Sequence, residues 1–272
     1  MYSIAQLVYV VLYPLRCRNA VPFNLIKGAG NTMIPLRDDN PTSTRPVLTM
    51  ALLAANVLVF LYQISLGPKA GEIFVYQYGA IPAVVTGTQS LPAALVAIPP
   101  IFSVFTSMFL HGGLLHIAGN MLYLWIFGNN VEDAMGHIRY IVFYLLSGLA
   151  ASFSHIFSDT ASAIPSIGAS GAISGVLGAY LLLYPHARVL ILIPFGFFSR
   201  LLYIPAWIVL GFWFVLQIVS GSLTGTQQGG GVAWWAHIGG FVAGLALVAL
   251  FKKRSVRFFN PPHHRSSEFD RI

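Results

Sequence analysis

The sequence predicts an all-α, polytopic membrane protein with six transmembrane helices. Three observations predict it. The 272 residues are 56% hydrophobic and only 8% charged, where a soluble domain carries about 25% charge. The apolar residues fall in stretches of the length that crosses a bilayer. The basic residues also sort to one side of those stretches.

A spanning helix needs about 20 mostly apolar residues. The first fits at 46–66, between Arg45 and Lys69. The stretch from Glu72 to Glu132 is uncharged but polar and proline-rich at first, and its best helix is 113–129. Arg139 to Asp159 holds a third, 139–157, and Asp159 to Arg188 a fourth, 168–185. Arg200 to Lys252 has room for two, and the sequence GSLTGTQQGGG at 221–231 divides it into 202–220 and 233–251. Residues 4–14 are too short to span, and Arg16 and Arg18 follow the run instead of preceding it, so it is no signal peptide. Residues 92–98, bounded by Pro92 and Pro99, read as a structured or re-entrant loop.

With six spans, fourteen of the fifteen Lys and Arg residues lie on the side of the termini, and Lys69 alone lies opposite. This positive-inside asymmetry predicts cytoplasmic termini and an outward loop at 67–112. In this layout the net charge of +7 reports topology and not a nucleic-acid partner. The single cysteine, Cys17, excludes an internal disulfide and a Cys-based zinc site. Residues 1–45 are expected to form a cytoplasmic N-terminal segment, its first 32 residues either a weak cytoplasmic extension or an over-called start. Residues 252–272 are expected to form a basic cytoplasmic tail.

No Asp or Glu falls within these six windows, which argues against an aspartyl intramembrane protease and a carboxylate proton relay. No H-E-x-x-H is present either, so no metal is expected. The side chains in the spans read as able to do chemistry are Ser170, His237, and His116 with Asn120. Taken singly each has a bland reading: a small residue among packing glycines, a satisfied buried imidazole, a helix–helix hydrogen-bond pair. Topology joins them. The second, fourth and sixth helices all enter from the outer side, and all four residues lie within about 10 Å of that boundary. Ala233, His237, Gly240 and Gly244 form one stripe on the sixth helix, and Gly168, Gly171, Gly175 and Gly178 recur beside Ser170 on the fourth. Two glycine-lined faces allow close backbone approach.

Serine is a weak nucleophile until a base removes its proton, and neutral histidine suits that task. With no acid for a third member, the expectation is a Ser170–His237 dyad whose imidazole is oriented by packing. Attack on a peptide carbonyl creates an oxyanion that needs preorganised donors. Asn120, His116 and the free N–H groups at the start of the fourth helix, Ser170 included, can donate. The polar loop 221–231, just before His237, is a candidate mobile cap.

At these residues the sequence resembles the rhomboid protease family. The matching motifs are Gly168-Ala169-Ser170-Gly171, Ala236-His237 followed by Gly240 and Gly244, and His116-x-x-x-Asn120 with His111 upstream. The resemblance covers residues 33–251. It implies a rhomboid-like six-helix bundle and a cofactor-free serine endopeptidase with Ser170 as nucleophile and His237 as base. It implies an oxyanion hole of His116, Asn120 and Ser170. It further implies transmembrane protein substrates cut near the outer face at helix-destabilising sites, with membrane lipid around the bundle; the simple six-helix layout suggests a bacterial inner membrane, with an organelle as the alternative. The fifth helix, with Trp207, Phe212, Trp213 and Phe214, would line a lateral gate. The alternative is a catalytically inactive relative that binds membrane clients. A transporter or channel predicts internal repeats or charge-lined paths, and neither is present. Two positions depart from the family pattern. Phe102-Ser103 stands where Trp-Arg is common, and Ser174 stands where an aromatic stacks on the histidine.

Overall fold

The computed structural model describes residues 34–195, 198–224 and 232–260. The first 32 residues, most of the expected cap loop and the end of the tail lie outside the described residues.

The chain begins with β1 (Ile34–Asp38), then α1 (Val47–Ser65). The loop that follows holds α2 (Gly67–Tyr78), α3 (Pro82–Val85) and α4 (Pro100–Thr106), with a short 3-10 turn at Ala93–Leu95 in the stretch expected to be a structured loop. Then come α5 (Leu114–Met135), α6 (His137–Ser158) and α7 (Ser170–Leu183). A hairpin of β2 (Arg188–Phe195) and β3 (Phe198–Pro205) leads to α8 (Ala206–Thr224) and α9 (Trp234–Phe251).

Helices α1, α6, α8 and α9 are each long and apolar enough to cross a membrane. With α5 and the shorter apolar α7 they make the expected six-helix bundle. α7 is its axis: most of its side chains are buried, and α5, α6, α8 and α9 pack around it. Its 14 residues span only about 21 Å, less than the ~30 Å hydrocarbon layer. The chain before Ser170 therefore descends into the layer without helical structure. Irregular backbone at membrane depth is tolerated only against protein or a water-filled cavity. Here the backing is protein. Ala80 and Ser166 exchange backbone hydrogen bonds, and the Gly168 N–H donates to the Ser107 carbonyl (2.9 Å), so the loop after α1 backs the descent.

The glycines act where expected. A Cβ on Gly240 would strike the Gly171 carbonyl, one on Gly244 would strike the backbone of Gly175, and one on Gly178 the Phe241 carbonyl. α7 and α9 thus approach backbone to backbone.

Two features depart from the sequence reading. The second span does not end at 129. Helix α5 continues to Met135, so Glu132 and Asp133 lie inside it and Glu132 is wholly buried. The expectation that no carboxylate enters a span fails here, because the helix outruns its apolar window. Glu132 is stable in that position because it is saturated with donors: the Leu48 N–H (2.9 Å), the Thr49 N–H and hydroxyl (both 2.7 Å), and His137 Nδ1 (2.5 Å). It thereby caps the free amides that open α1.

The second departure is a three-stranded antiparallel sheet, ordered β1-β2-β3, at the basic end of an otherwise helical fold. Residues 202–205, read as the start of the fifth span, belong to β3. β1 joins the bundle through its Asp38, whose carboxylate accepts from the Tyr180 hydroxyl of α7 (2.6 Å).

Candidate active site

The four polar residues singled out in the sequence converge at the end of the bundle where α7 and α9 begin. Ser170 is the first residue of α7, and His237 lies in the first turn of α9. The His237 Nε2 atom sits 2.9 Å from Ser170 Oγ. Both residues are partly buried, neither sealed nor freely exposed. The glycine contacts between α7 and α9 set this distance, because any bulkier pair of faces would move the two side chains apart.

His116 and Asn120, one turn apart on α5, approach the same spot from the other flank. They face Gly168, two residues before the serine. Gly168 has φ +126°, a backbone conformation that side chains disfavour. A Cβ there would lie 2.8 Å from His116 Nε2. Glycine is thus required twice over, by conformation and by space. The Gly112 N–H donates to His116 Nδ1 (3.2 Å), which leaves the proton of the neutral ring on Nε2. The buried Asn120 Nδ2 has no protein acceptor among the described residues. Two N–H donors and the unused amides of the α7 N-terminus therefore stand around one small region.

His111 is fully buried, with its ring 5.1 Å from that of His116 in an edge-on arrangement. Its backbone is clamped by Gln63 of α1, whose Nε2 donates to the His111 carbonyl (2.8 Å) and whose Oε1 accepts from its N–H (3.3 Å). Ser174 does not reach His237. Its hydroxyl donates back to the Ser170 carbonyl (2.7 Å), one turn earlier. Ser103 is likewise turned inward, donating to the Pro100 carbonyl (2.6 Å), while Phe102 is exposed.

One residue of this cluster escaped the sequence reading. Gln217 of α8 is 5% exposed, and its Oε1 lies 2.7 Å from His237 Nδ1. The imidazole is thus held by a hydrogen bond as well as by packing. Trp213, one turn earlier on α8, supplies the aromatic contact, its ring centred 5.8 Å from that of His237 and tilted by 38°. A signal was available, since Gln217 is the only amide or charged side chain in the window 202–220. A polar group in a span is functional by default. No cluster of His, Cys, Asp or Glu able to hold a metal occurs among the described residues.

The chain is similar to known proteins. The family model for the rhomboid domain matches residues 100–254. The rhomboid protease GluP of Bacillus subtilis is 32% identical over 207 residues, 75% of this chain and 35% of the relative. Rhomboid protein 1, mitochondrial, of Saccharomyces cerevisiae is 29% identical over 150 residues, 53% of this chain and 40% of the relative. The human presenilin-associated rhomboid-like protein, mitochondrial, is 31% identical over 144 residues, 52% and 34%. The chain spans less than half the length of each of these relatives. The matched region nevertheless takes in both glycine faces, Ser170, His237, His116 and Asn120, and it exceeds half of the 272 residues; this integral membrane protein belongs to the rhomboid family.

Proposed function

We propose that the chain is an intramembrane serine endopeptidase that cleaves membrane-anchored proteins with Ser170 as nucleophile and His237 as general base. The observation that carries this reading is the 2.9 Å contact between His237 Nε2 and Ser170 Oγ. Nε2 takes the hydroxyl proton as Oγ attacks the scissile carbonyl carbon. The resulting oxyanion is met by the Ser170 N–H, His116 Nε2–H and Asn120 Nδ2–H, with the positive end of α7 behind them. The C–N bond then breaks, His237 returns the proton to the leaving amine, and a serine ester remains. Water enters by the same route, gives a proton to His237 and hydrolyses the ester.

Depth supports the substrate class. The serine lies below the membrane surface because α7 is short, so the bond it meets belongs to a membrane-embedded segment. A helical segment hides its carbonyls, so helix-destabilising residues near the cut favour cleavage. Helix α8 packs mainly on α9, which suits the side of the bundle facing α8 and α5 to substrate entry. The basic asymmetry favours cytoplasmic termini.

A fluorophosphonate probe tests the reading directly. It is expected to label the wild-type protein and not Ser170→Ala. Reconstituted with a single-pass substrate, wild type should cleave it and His237→Ala should not. Equal labelling of wild type and Ser170→Ala would overturn the assignment in favour of an inactive, client-binding relative.

A further inference from the structure

We infer that Gln217 is a positioning residue that fixes the tautomer and direction of His237. It makes α8 a working part of the dyad as well as a wall of the bundle. The inference rests on the serine-protease reading and adds a residue to it.

The hydrogen bonds leave one assignment. Gln217 Nε2 donates to the Trp213 carbonyl one turn back (3.3 Å). That turns Oε1 toward His237 Nδ1, 2.7 Å away. A carbonyl oxygen only accepts, so Nδ1 must carry the proton of the neutral ring. Nε2 then presents a bare lone pair to the Ser170 hydroxyl at 2.9 Å. Free of this constraint, a neutral imidazole carries its proton on either nitrogen. With the proton on Nε2 the lone pair points away from serine and the base is idle.

The surroundings agree with an orienting role. Trp213 and Gln217 are four residues apart on α8 and touch the same imidazole, one by its ring and one by its amide. Trp234 closes a third side, edge-on at 6.4 Å. A carboxylate in place of Gln217 would orient the ring as well, but it would place a charge within an apolar span. An amide supplies the direction without that cost. Because Trp213 and Gln217 both belong to α8, the base is correctly aimed only while α8 is seated against α9.

The test uses the full chain in proteoliposomes, with nitrogen NMR of labelled histidine and cleavage of a fluorogenic transmembrane peptide. Wild type should show His237 protonated at Nδ1 with Nε2 bare. Gln217→Leu, of similar volume, should mix the two tautomers and lower kcat about 10- to 100-fold with KM little changed. Gln217→Glu keeps an acceptor oxygen and should restore the Nδ1–H signature and most of kcat. A purely structural glutamine would lower thermal stability and leave the tautomer and the kcat–KM split alone. If wild type cleaves while Gln217→Leu keeps both tautomer and kcat, the inference is wrong and the protease reading stands. If wild type shows the Nδ1–H tautomer but neither labels nor cleaves, the protease reading fails and the assignment of Gln217 stands.

Discussion

Two polar clusters stand at opposite ends of α5, and they are built on different terms. At the basic end, Glu132 accepts four hydrogen bonds. The neighbouring Asp133 takes the Ser43 N–H (2.6 Å) and Thr44 hydroxyl (2.8 Å), and Lys253 donates to the Asp133 carbonyl (2.7 Å). The donors to Asp133 tie the segment before α1 to α5, and those to Glu132 tie the first turn of α1 and the start of α6 to it. At the other end, Asn120 Nδ2 and both ring nitrogens of His111 are buried without a protein partner. A buried polar group left unpaired costs stability. The contrast lies in the carboxylates and the amide: Glu132 and Asp133 are paired at one end, and Asn120 Nδ2 stands unpaired beside Ser170 at the other, where the proposed reaction would develop charge. One cluster holds the fold, and the other is held by it.

Mutations break this comparison apart in order of size. Ser170→Ala or His237→Ala should lower turnover by about 10⁴-fold or more, equivalent to ~5 kcal/mol of activation free energy. Either should leave unfolding stability within about 1 kcal/mol. Glu132→Ala should do the reverse. Four donors lose their acceptor at once, and stability should fall by about 3 kcal/mol, while turnover per folded molecule changes less than about threefold. Denaturant titration in detergent beside active-site titration separates the two quantities. A large loss of turnover in folded Glu132→Ala would mean that the two ends are coupled. Gly244→Ala falls between them. Its Cβ would meet the backbone of Gly175, so it should cost about 2 kcal/mol. It should also lower labelling of the molecules that remain folded, because α7 and α9 carry Ser170 and His237.

The sequence made the spans and the site legible for one reason. Lipid excludes polar side chains, so the few that remain stand out. Ser170, His237, His116 and Asn120 could be picked from an otherwise apolar background, and helix direction brought them to one depth. The same logic would have marked Gln217, which was passed over, but no spacing would have revealed its partner. It lies 20 residues from His237 across a loop, and no spacing rule links the two. Glu132 was misjudged because an apolarity window ends where charge begins, whereas a helix ends where its hydrogen bonds do. The sheet was hidden for a related reason. Residues 188–205 are apolar at both helical and strand periods, so pattern alone does not separate a hairpin from the flank of a span. β1 forms only because β2 is there to pair with it, with Ile34 opposite Leu192 and Asp38 opposite Val189.

The smallest expected effect belongs to that sheet and turns on pH. Burial of the Asp38 carboxyl beneath α7 pushes it up from 3.8 to about 7, against the partial pull of the Tyr180 hydroxyl and with the neighbouring Asp39 adding to the rise. Arg188 is committed to Asp39 (2.7 Å) and Arg37 to the Tyr203 hydroxyl (2.8 Å), and neither hydrogen-bonds to Asp38. The folded protein therefore keeps a proton that the unfolded chain releases near pH 4. Below pH 4 both forms are protonated and the contact contributes fully. Between pH 4 and 7 stability falls as pH rises. Above 7 both forms are ionised and the folded state bears the whole burden of a half-buried charge. Asp38→Asn keeps an acceptor for Tyr180 and removes the titration. It should flatten the pH dependence of unfolding between pH 4 and 7 and raise stability at pH 8 by about 1–2 kcal/mol, a figure reduced for the partial exposure of the group. Unfolding curves at pH 5 and pH 8 for the two proteins measure this. Parallel slopes would show that Asp38 is already ionised in the folded state.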